Sequence, residues 1–138
     1  YALLFSMPGI PCLYYGSEWG AKGVKGGSDD APLRPCFDRP EETPLTLWIA
    51  RLAALHREQA ALCYGDYRTL CLTNEQLVFR RRFENQTVIV AINAADQPYT
   101  AHFDAEAGRA VELLTGRAHD FSGGSMLPPY SAAYWRTE

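Results

Sequence analysis

The sequence lacks the features that mark a membrane protein or a nucleic-acid-binding protein. None of its apolar runs approaches the roughly 20 residues that a membrane span requires. Basic residues are not in excess either, because 13 Lys and Arg stand against 16 Asp and Glu, a formal net charge of −3. This charge provides no positive field for a polyanion. We therefore expect no membrane segment in this sequence and no nucleic-acid partner.

The sequence also lacks a pattern that would hold a metal ion. Its four cysteines form no C-x-x-C pair, and no His stands at a zinc-ligand spacing from them. No loop of calcium ligands is present. We expect no metal and no cofactor. The cysteines are predicted to be free and mostly buried, which favours a reducing compartment and hence a cytoplasmic location. They are Cys12, Cys36, Cys63 and Cys71.

An initiator Met and a secretory leader are missing as well. The first residues, YALLFSMPGIP, carry no charge and reach a helix breaker at Pro8, unlike a signal peptide. The chain starts inside a hydrophobic run that looks like the middle of a fold. We expect the sequence to be a fragment of a longer protein.

The first half of the sequence predicts a strand, a long loop and a helix. The run CLYYG lies between Pro11 and Gly16, and its composition predicts a strand over 10–16 that is buried on both faces, as in a parallel sheet. Residues 17–43 hold too many Gly and Pro for a regular element, and loops of this length are commonly functional. Thr43 and Pro44 suit the start of a helix. Its apolar stripe consists of Leu45, Trp48, Ile49, Leu52 and Leu55 or His56.

From Gly65 onward the sequence predicts short strands. QLVFRRRF alternates between two faces, and TVIVAIN is a β-branched run typical of a central strand. Further strands are predicted at 99–103, 110–114 and 132–136. Their spacing indicates an antiparallel sandwich or barrel. The three arginines 80–82 alternate across their strand, so we expect a solvated or ion-paired face instead of a phosphate site.

Three segments resemble the α-amylase family, glycoside hydrolase family thirteen. GIPCLYYGSEWG is similar to that family's segment G-x-P-x-x-Y-Y-G-x-E, which covers the eighth barrel strand and the start of its loop. GGSDDAPLRP resembles a loop in which an Asp and an Arg four residues later contact sugar, and LPPYSAAYWR resembles the closing strand of the C-terminal sandwich. The resemblance implies a mainly β chain. Residues 1–62 would be the last βα unit of a (β/α)8 barrel, and residues 63–138 the C-terminal antiparallel β-sandwich domain.

The resemblance also implies a function for the parent protein. It would be a glycoside hydrolase or transglycosidase acting on α-glucosidic oligo- or polysaccharides. The family's catalytic carboxylates lie on earlier strands, so this segment alone should be inert and contains no catalytic residue. Glu18 stands at a position that the family motif treats as a structural hydrogen-bond acceptor. A buried strand at 10–16 without neighbours would expose apolar surface, so self-association of the chain is also expected.

The substrate-binding residues implied by the resemblance are Asp30, Arg34 and Trp19. A carboxylate and a guanidinium can bind adjacent sugar hydroxyls, and an indole offers an apolar face to the ring. Three alternatives stay open: an exposed salt bridge between Asp30 and Arg34, a packing role for Trp19, and a shift of register that makes Asp29 the ligand. The family pattern places Pro directly after the Asp, whereas Ala31 follows Asp30 here.

Two other functions compete with the enzymatic one. The first is a non-catalytic carbohydrate-binding or structural β-sandwich module, with Tyr130, Tyr134 and Trp135 as candidate binding aromatics. The second is a non-enzymatic relative, such as the ectodomain of an amino-acid transporter heavy chain.

Overall fold

The computed structural model describes residues 1–138, which form helices in the first half and antiparallel strands in the second. Two 3-10 helices, Ser17–Trp19 and Ala31–Leu33, precede α1 (Pro44–Glu58) and α2 (Ala60–Tyr64). The strands are β1 (Arg68–Leu72), β2 (Gln76–Phe83), β3 (Gln86–Asn93), β4 (Tyr99–Ala101), β5 (Arg109–Glu112), β6 (Ala118–Asp120), β7 (Ser125–Leu127) and β8 (Ser131–Thr137). With 15 and 5 residues, α1 and α2 are both too short to span a bilayer.

Helix α1 begins where the sequence predicts it. Thr43 has an extended backbone, and its side-chain oxygen accepts a hydrogen bond from the Thr46 amide at 3.2 Å. Pro44 occupies the first turn, where its missing N–H costs nothing. The predicted stripe faces inward, because Ile49, Leu52 and Leu55 are buried. The predicted helix is confirmed, and α2 follows it after a break at Gln59.

The strands form two antiparallel sheets, so the predicted sandwich is confirmed. The larger sheet has the order β1-β2-β3-β8-β5-β6, and the smaller one pairs β4 with β7. In the central strand β3, Val88, Ile89, Val90 and Ala91 are all fully buried. A strand with alternating side chains is buried throughout only if both faces of its sheet are covered.

Two hydrophobic clusters cover those two faces. The first lies between the helices and the larger sheet, where Leu52 and Leu62 share a cluster with Phe79, Val90 and Tyr134. The second lies between the two sheets and consists of Val78, Ile89, Ala91, Ala101, Ala105, Ala110, Leu127 and Trp135. The helical half thus packs directly on the sheet.

The predicted strand at 10–16 is not formed. These residues have irregular backbone, and Ile10, Tyr14 and Tyr15 are exposed by 95%, 61% and 47%. A parallel strand needs hydrogen-bonding neighbours along its edges, and no strand of residues 1–138 lies beside this segment. Of the expected βα unit, the helix and the loop before it are present, and the strand is not.

Two further expectations need correction. All four cysteines are free, as predicted, but the expectation that they are mostly buried is wrong. Cys12 and Cys36 are exposed in the irregular segment and the loop, and Cys63 and Cys71 are only half-buried. Arg80 is ion-paired as expected, with Asp66 at 2.9 Å and Glu106 at 3.0 Å. Arg81, in contrast, is only 1% exposed. Its strand face carries Phe79 and is covered by the helical half.

Candidate functional site

The candidate site is the loop of residues 17–43, which opens with the 3-10 helix Ser17–Trp19. Gly16 and Gly20 flank this turn with φ values of 83° and 75°, a region that L side chains rarely adopt. A Cβ atom at Gly16 would also lie 2.7 Å from the Phe37 ring. Glycine at these positions lets the chain turn sharply and pass close to an aromatic side chain.

Hydrogen bonds from two directions hold the base of the loop. The Thr46 hydroxyl, in the first turn of α1, lies 3.1 Å from the main-chain oxygens of both Glu18 and Glu41. The Tyr1 hydroxyl donates to the main-chain oxygen of Ser17 at 3.0 Å. Residues far apart in sequence therefore fix where the loop begins and where it returns to the helix.

Trp19 packs against the loop interior. Its ring meets the Phe37 ring edge-on, at a centroid distance of 5.1 Å and an interplanar angle of 87°. The indole Nε1 is buried and has no hydrogen-bond partner, and the same holds for Oε2 of Glu18. Unpartnered buried groups of this kind are uncommon and costly. Glu18 was expected to be a structural hydrogen-bond acceptor, but no group within residues 1–138 donates a hydrogen bond to its Oε2.

Asp30 and Arg34 flank the second 3-10 helix, Ala31–Leu33, and both are exposed. They do not form the alternative salt bridge, because the ion-pair partner of Asp30 is Lys25, at 3.2 Å. Asp29 has a different task. Its Oδ1 accepts a hydrogen bond from the Ala31 amide at 2.8 Å and closes a local turn.

A small cleft lies beside these residues. It has a volume of about 80 Å³ and is lined by Tyr14, Tyr15, Lys22, Leu33 and Phe37, among others. Partial desolvation raises the pKa of the Tyr15 phenol above its ordinary value, and the neighbouring Tyr14 adds to the shift. Pockets for small organic ligands usually measure about 300 to 1,000 Å³. At about 80 Å³, this cleft is too small to hold such a ligand by itself.

The residues selected from sequence thus gather in one loop, but only Trp19 is packed into it. Reasoning from sequence missed Lys25 as the partner of Asp30 and Phe37 as the partner of Trp19. Both lie in the stretch of Gly and Pro between motifs, where no periodicity reveals contacts. No group of three or more His, Cys, Asp or Glu side chains is placed to hold a metal ion.

Comparison with known proteins assigns this fold. The profile of the alpha-amylase C-terminal domain matches residues 65–120. An α-amylase of Anoxybacillus superimposes with a TM-score of 0.81 at 27% identity, over 99% of this chain and 30% of that chain. The α-amylase of Geobacillus thermoleovorans complexed with acarbose shares the fold at 23% identity, with a TM-score of 0.83 over 99% of this chain and 32% of that one. The sandwich is therefore of the kind found in amylase-type enzymes.

Relatives in amino-acid sequence show to which family the chain belongs. A cyclomaltodextrinase of Geobacillus thermopakistaniensis (strain MAS1) is 32% identical over 141 residues, covering 94% of this chain and 23% of that protein. A cyclomaltodextrin glucanotransferase of Niallia circulans is 29% identical over 91% of this chain and 17% of that protein. The chain belongs to the α-amylase family, glycoside hydrolase family thirteen, and spans less than a quarter of the length of these relatives. The family's catalytic residues are not in this segment.

Proposed function

We propose that this chain is the C-terminal portion of a glycoside hydrolase or transglycosidase that acts on α-glucosidic oligo- or polysaccharides. The observation that carries this proposal is the 32% identity to a cyclomaltodextrinase, which extends over 94% of the chain. The likeness therefore includes the candidate loop as well as the sandwich. In this proposal residues 1–62 complete a catalytic barrel and residues 63–138 form the supporting sandwich.

The loop contributes a sugar subsite made by Asp30, Arg34 and Trp19. The carboxylate and the guanidinium are exposed and not paired with each other, so both retain hydrogen-bonding capacity for a ligand. Displacing Lys25 from Asp30 costs little, because ion pairs between exposed groups are worth under about 1 kcal/mol. A sugar hydroxyl then takes the place of the ammonium. Trp19 supports the subsite through its contact with Phe37.

The local hydrogen bonds favour Asp30 over Asp29 as the ligand. One carboxylate oxygen of Asp29 is already engaged with the Ala31 amide and maintains the turn. The Asp30 carboxylate accepts no hydrogen bond from a main-chain amide. Its only ion-pair partner is the side chain of Lys25, which is itself 62% exposed. Asp29 therefore has less of its carboxylate available to a sugar than Asp30 has.

The experiment is Asp30→Ala in the intact parent enzyme. Loss of charged hydrogen bonds worth about 1.5 to 3 kcal/mol is expected to lower kcat/KM for maltooligosaccharides by about 10- to 150-fold. The melting temperature should barely change, since Asp30 is exposed. The matched control is Asp38→Ala, an exposed carboxylate in the same loop, which should retain the parent's activity. An Asp30→Ala enzyme with the parent's kcat/KM contradicts the subsite.

A non-catalytic binding module has less support. Such a module presents exposed aromatic side chains on a platform, but Tyr134 is fully buried and Trp135 is 3% exposed. Tyr130 alone, at 74% exposure, faces solvent among the three candidate aromatics. A non-enzymatic relative of the family is distinguished from the enzyme by the parent's activity on maltooligosaccharides, which the same assay measures.

A further inference from the structure

Residues 1–7 form a short hydrogen-bonded turn segment that is tied to the rest of the chain by side chains of other elements. We call this turn the anchor segment. Its amides at Phe5 and Met7 donate to the main-chain oxygens of Tyr1 and Leu3, both at 3.0 Å. Phe5 and Ser6 are buried, at 6% and 0% exposure. Carbonyls at the end of such a turn have no partner within it and need donors from elsewhere.

Arg81 of β2 supplies one of these donors from inside the protein. Its guanidinium donates to the main-chain oxygen of Ser6 at 2.5 Å, of Gly65 at 3.0 Å and of Asp66 at 2.9 Å. The carboxylate of Asp66 binds Arg80 instead. Three main-chain carbonyls therefore solvate the buried cation, and one of them belongs to the anchor segment. Burial lowers the pKa of Arg81 below its ordinary value.

Two further side chains bind the same segment. The Tyr134 hydroxyl, on β8, donates to the main-chain oxygen of Ala2 at 2.8 Å. Burial raises the pKa of this phenol, so it stays a neutral donor. Nδ1 of His56, on α1, lies 2.8 Å from the main-chain oxygen of Phe5. Strands β2 and β8 and helix α1 thus converge on one turn of the chain.

The anchor segment also contacts the candidate loop, from which residues 8–16 separate it in sequence. Its first residue, Tyr1, donates to the main-chain oxygen of Ser17 in the turn that carries Trp19. A continuous path of contacts therefore runs from Arg81 and Tyr134 in the sandwich, through the anchor segment, to the 3-10 helix Ser17–Trp19.

We propose that Arg81 and Tyr134 are positioning residues: from the sandwich they hold the anchor segment and, through Tyr1, the turn that carries Trp19. Their effect on substrate binding rests on the proposed function of the loop. Their effect on the position of the loop does not. The sandwich thereby has a specific structural role, because it sets the geometry of a loop that belongs to the other half of the chain.

The test uses Tyr134→Phe in the 138-residue chain, with Tyr130→Phe as a matched control at an exposed position. Amide hydrogen exchange is read at Phe5, Met7, Gly20 and Ala21, whose amides are bonded within the anchor segment and the turn. Loss of one hydrogen bond worth about 1 kcal/mol is expected to accelerate these amides by about fivefold. The amides of β3 should keep their rates, and the indole N–H resonance of Trp19 should shift.

Arg81 is tested by comparing Arg81→Met with Arg81→Lys. Lysine keeps the charge but cannot donate in three fixed directions, so it should restore part of the protection that methionine loses. Equal exchange in Tyr134→Phe and the parent chain would overturn the proposal, as would acceleration that is no greater at the anchor segment than in β3.

Tyr134→Phe in the intact parent enzyme separates the two proposals. We expect KM for maltooligosaccharides to rise by about two- to fivefold with kcat unchanged, as when binding alone is weakened. Faster exchange in the anchor segment with an unchanged KM would support the positioning of the loop and overturn its role in binding substrate.

Discussion

At the scale of single residues, His119 has the most distinctive surroundings in the sandwich. Its ring stacks on Trp135 with a centroid distance of 4.4 Å and an interplanar angle of 11°. Its Nε2 lies 2.9 Å from the Ser125 hydroxyl. Burial lowers the pKa of His119 below its ordinary value, and the opposing effect of Asp120 is smaller. The folded protein therefore favours the neutral imidazole.

This shift predicts a pH dependence of stability. Because the pKa is lower in the folded than in the unfolded chain, the unfolded chain binds more protons as the pH falls below about 6.5. The contribution of neutral His119 is thus fully present above that pH and is lost as the pH falls toward the folded pKa. We expect the urea midpoint to drop between about pH 7.5 and about pH 5.5, and to drop less in His119→Gln.

His102→Gln is the control for that experiment, because His102 is exposed. Its midpoint should follow the parent chain across the same pH range. If His119→Gln and the parent lose stability equally on acidification, another group is responsible for the pH dependence.

At the scale of elements, helix α1 depends on its cap. The Thr43 oxygen satisfies the Thr46 amide, one of the free N–H groups of the first turn. Thr43→Ala is expected to lower the free energy of unfolding by about 1 kcal/mol, measured by urea denaturation followed by circular dichroism. Thr43→Ser keeps the oxygen and should retain most of the stability. Equal losses in the two variants would mean that the threonine methyl group matters more than the cap.

Elements that are determined locally could be predicted from sequence. Helix α1 has its cap, its proline and its stripe within its own residues, and β3 is a continuous β-branched run. The segment 10–16 has a composition typical of a buried strand, but a strand needs partners, and composition does not report whether they are present. Strands β6 and β7 were missed, unlike the equally short β4, because their sequences AHD and SML lack the β-branched and aromatic residues typical of strands.

The candidate site was less predictable than the fold. Asp30 and Arg34 were selected by resemblance, while Asp30 pairs with Lys25 across the turn Gly26–Asp29, a contact between exposed side chains that the turn signal alone does not specify. Arg81 is the clearest failure, because it stands between two other arginines and looks like a surface residue. Its bond to Ser6 spans 75 positions of sequence. This contact forms only because the helical half packs on the sheet, so it is apparent in the folded structure and not in the sequence.

At the scale of the whole molecule, apolar side chains are exposed on the segment and the loop that precede α1. Ile10 is 95% exposed and Val24 is 83% exposed, in addition to Tyr14 and Tyr15. Exposed apolar groups that lie together favour association. We therefore expect the chain to self-associate in analytical ultracentrifugation, with a sedimentation coefficient that rises with protein concentration.

Two substitutions test which surface mediates this self-association. Ile10→Ser should weaken it, whereas Leu72→Ser, at a 71% exposed position on β1, should leave it unchanged. Sedimentation of the parent chain as a monomer at all concentrations contradicts the prediction. A larger effect of Leu72→Ser than of Ile10→Ser would assign the contact to the sandwich instead.

The position of β8 in the larger sheet has a consequence for biosynthesis. Residues 131–137 lie between β3 and β5, so the last of the eight strands in chain order joins two parts of the sheet that are otherwise not hydrogen-bonded to each other. While the ribosome still holds these residues, β3 and β5 each present an open edge, and open edges invite pairing with other chains. The larger sheet is complete only when β8 has left the exit tunnel, so the edges of β3 and β5 stay open until the last of these eight strands has emerged.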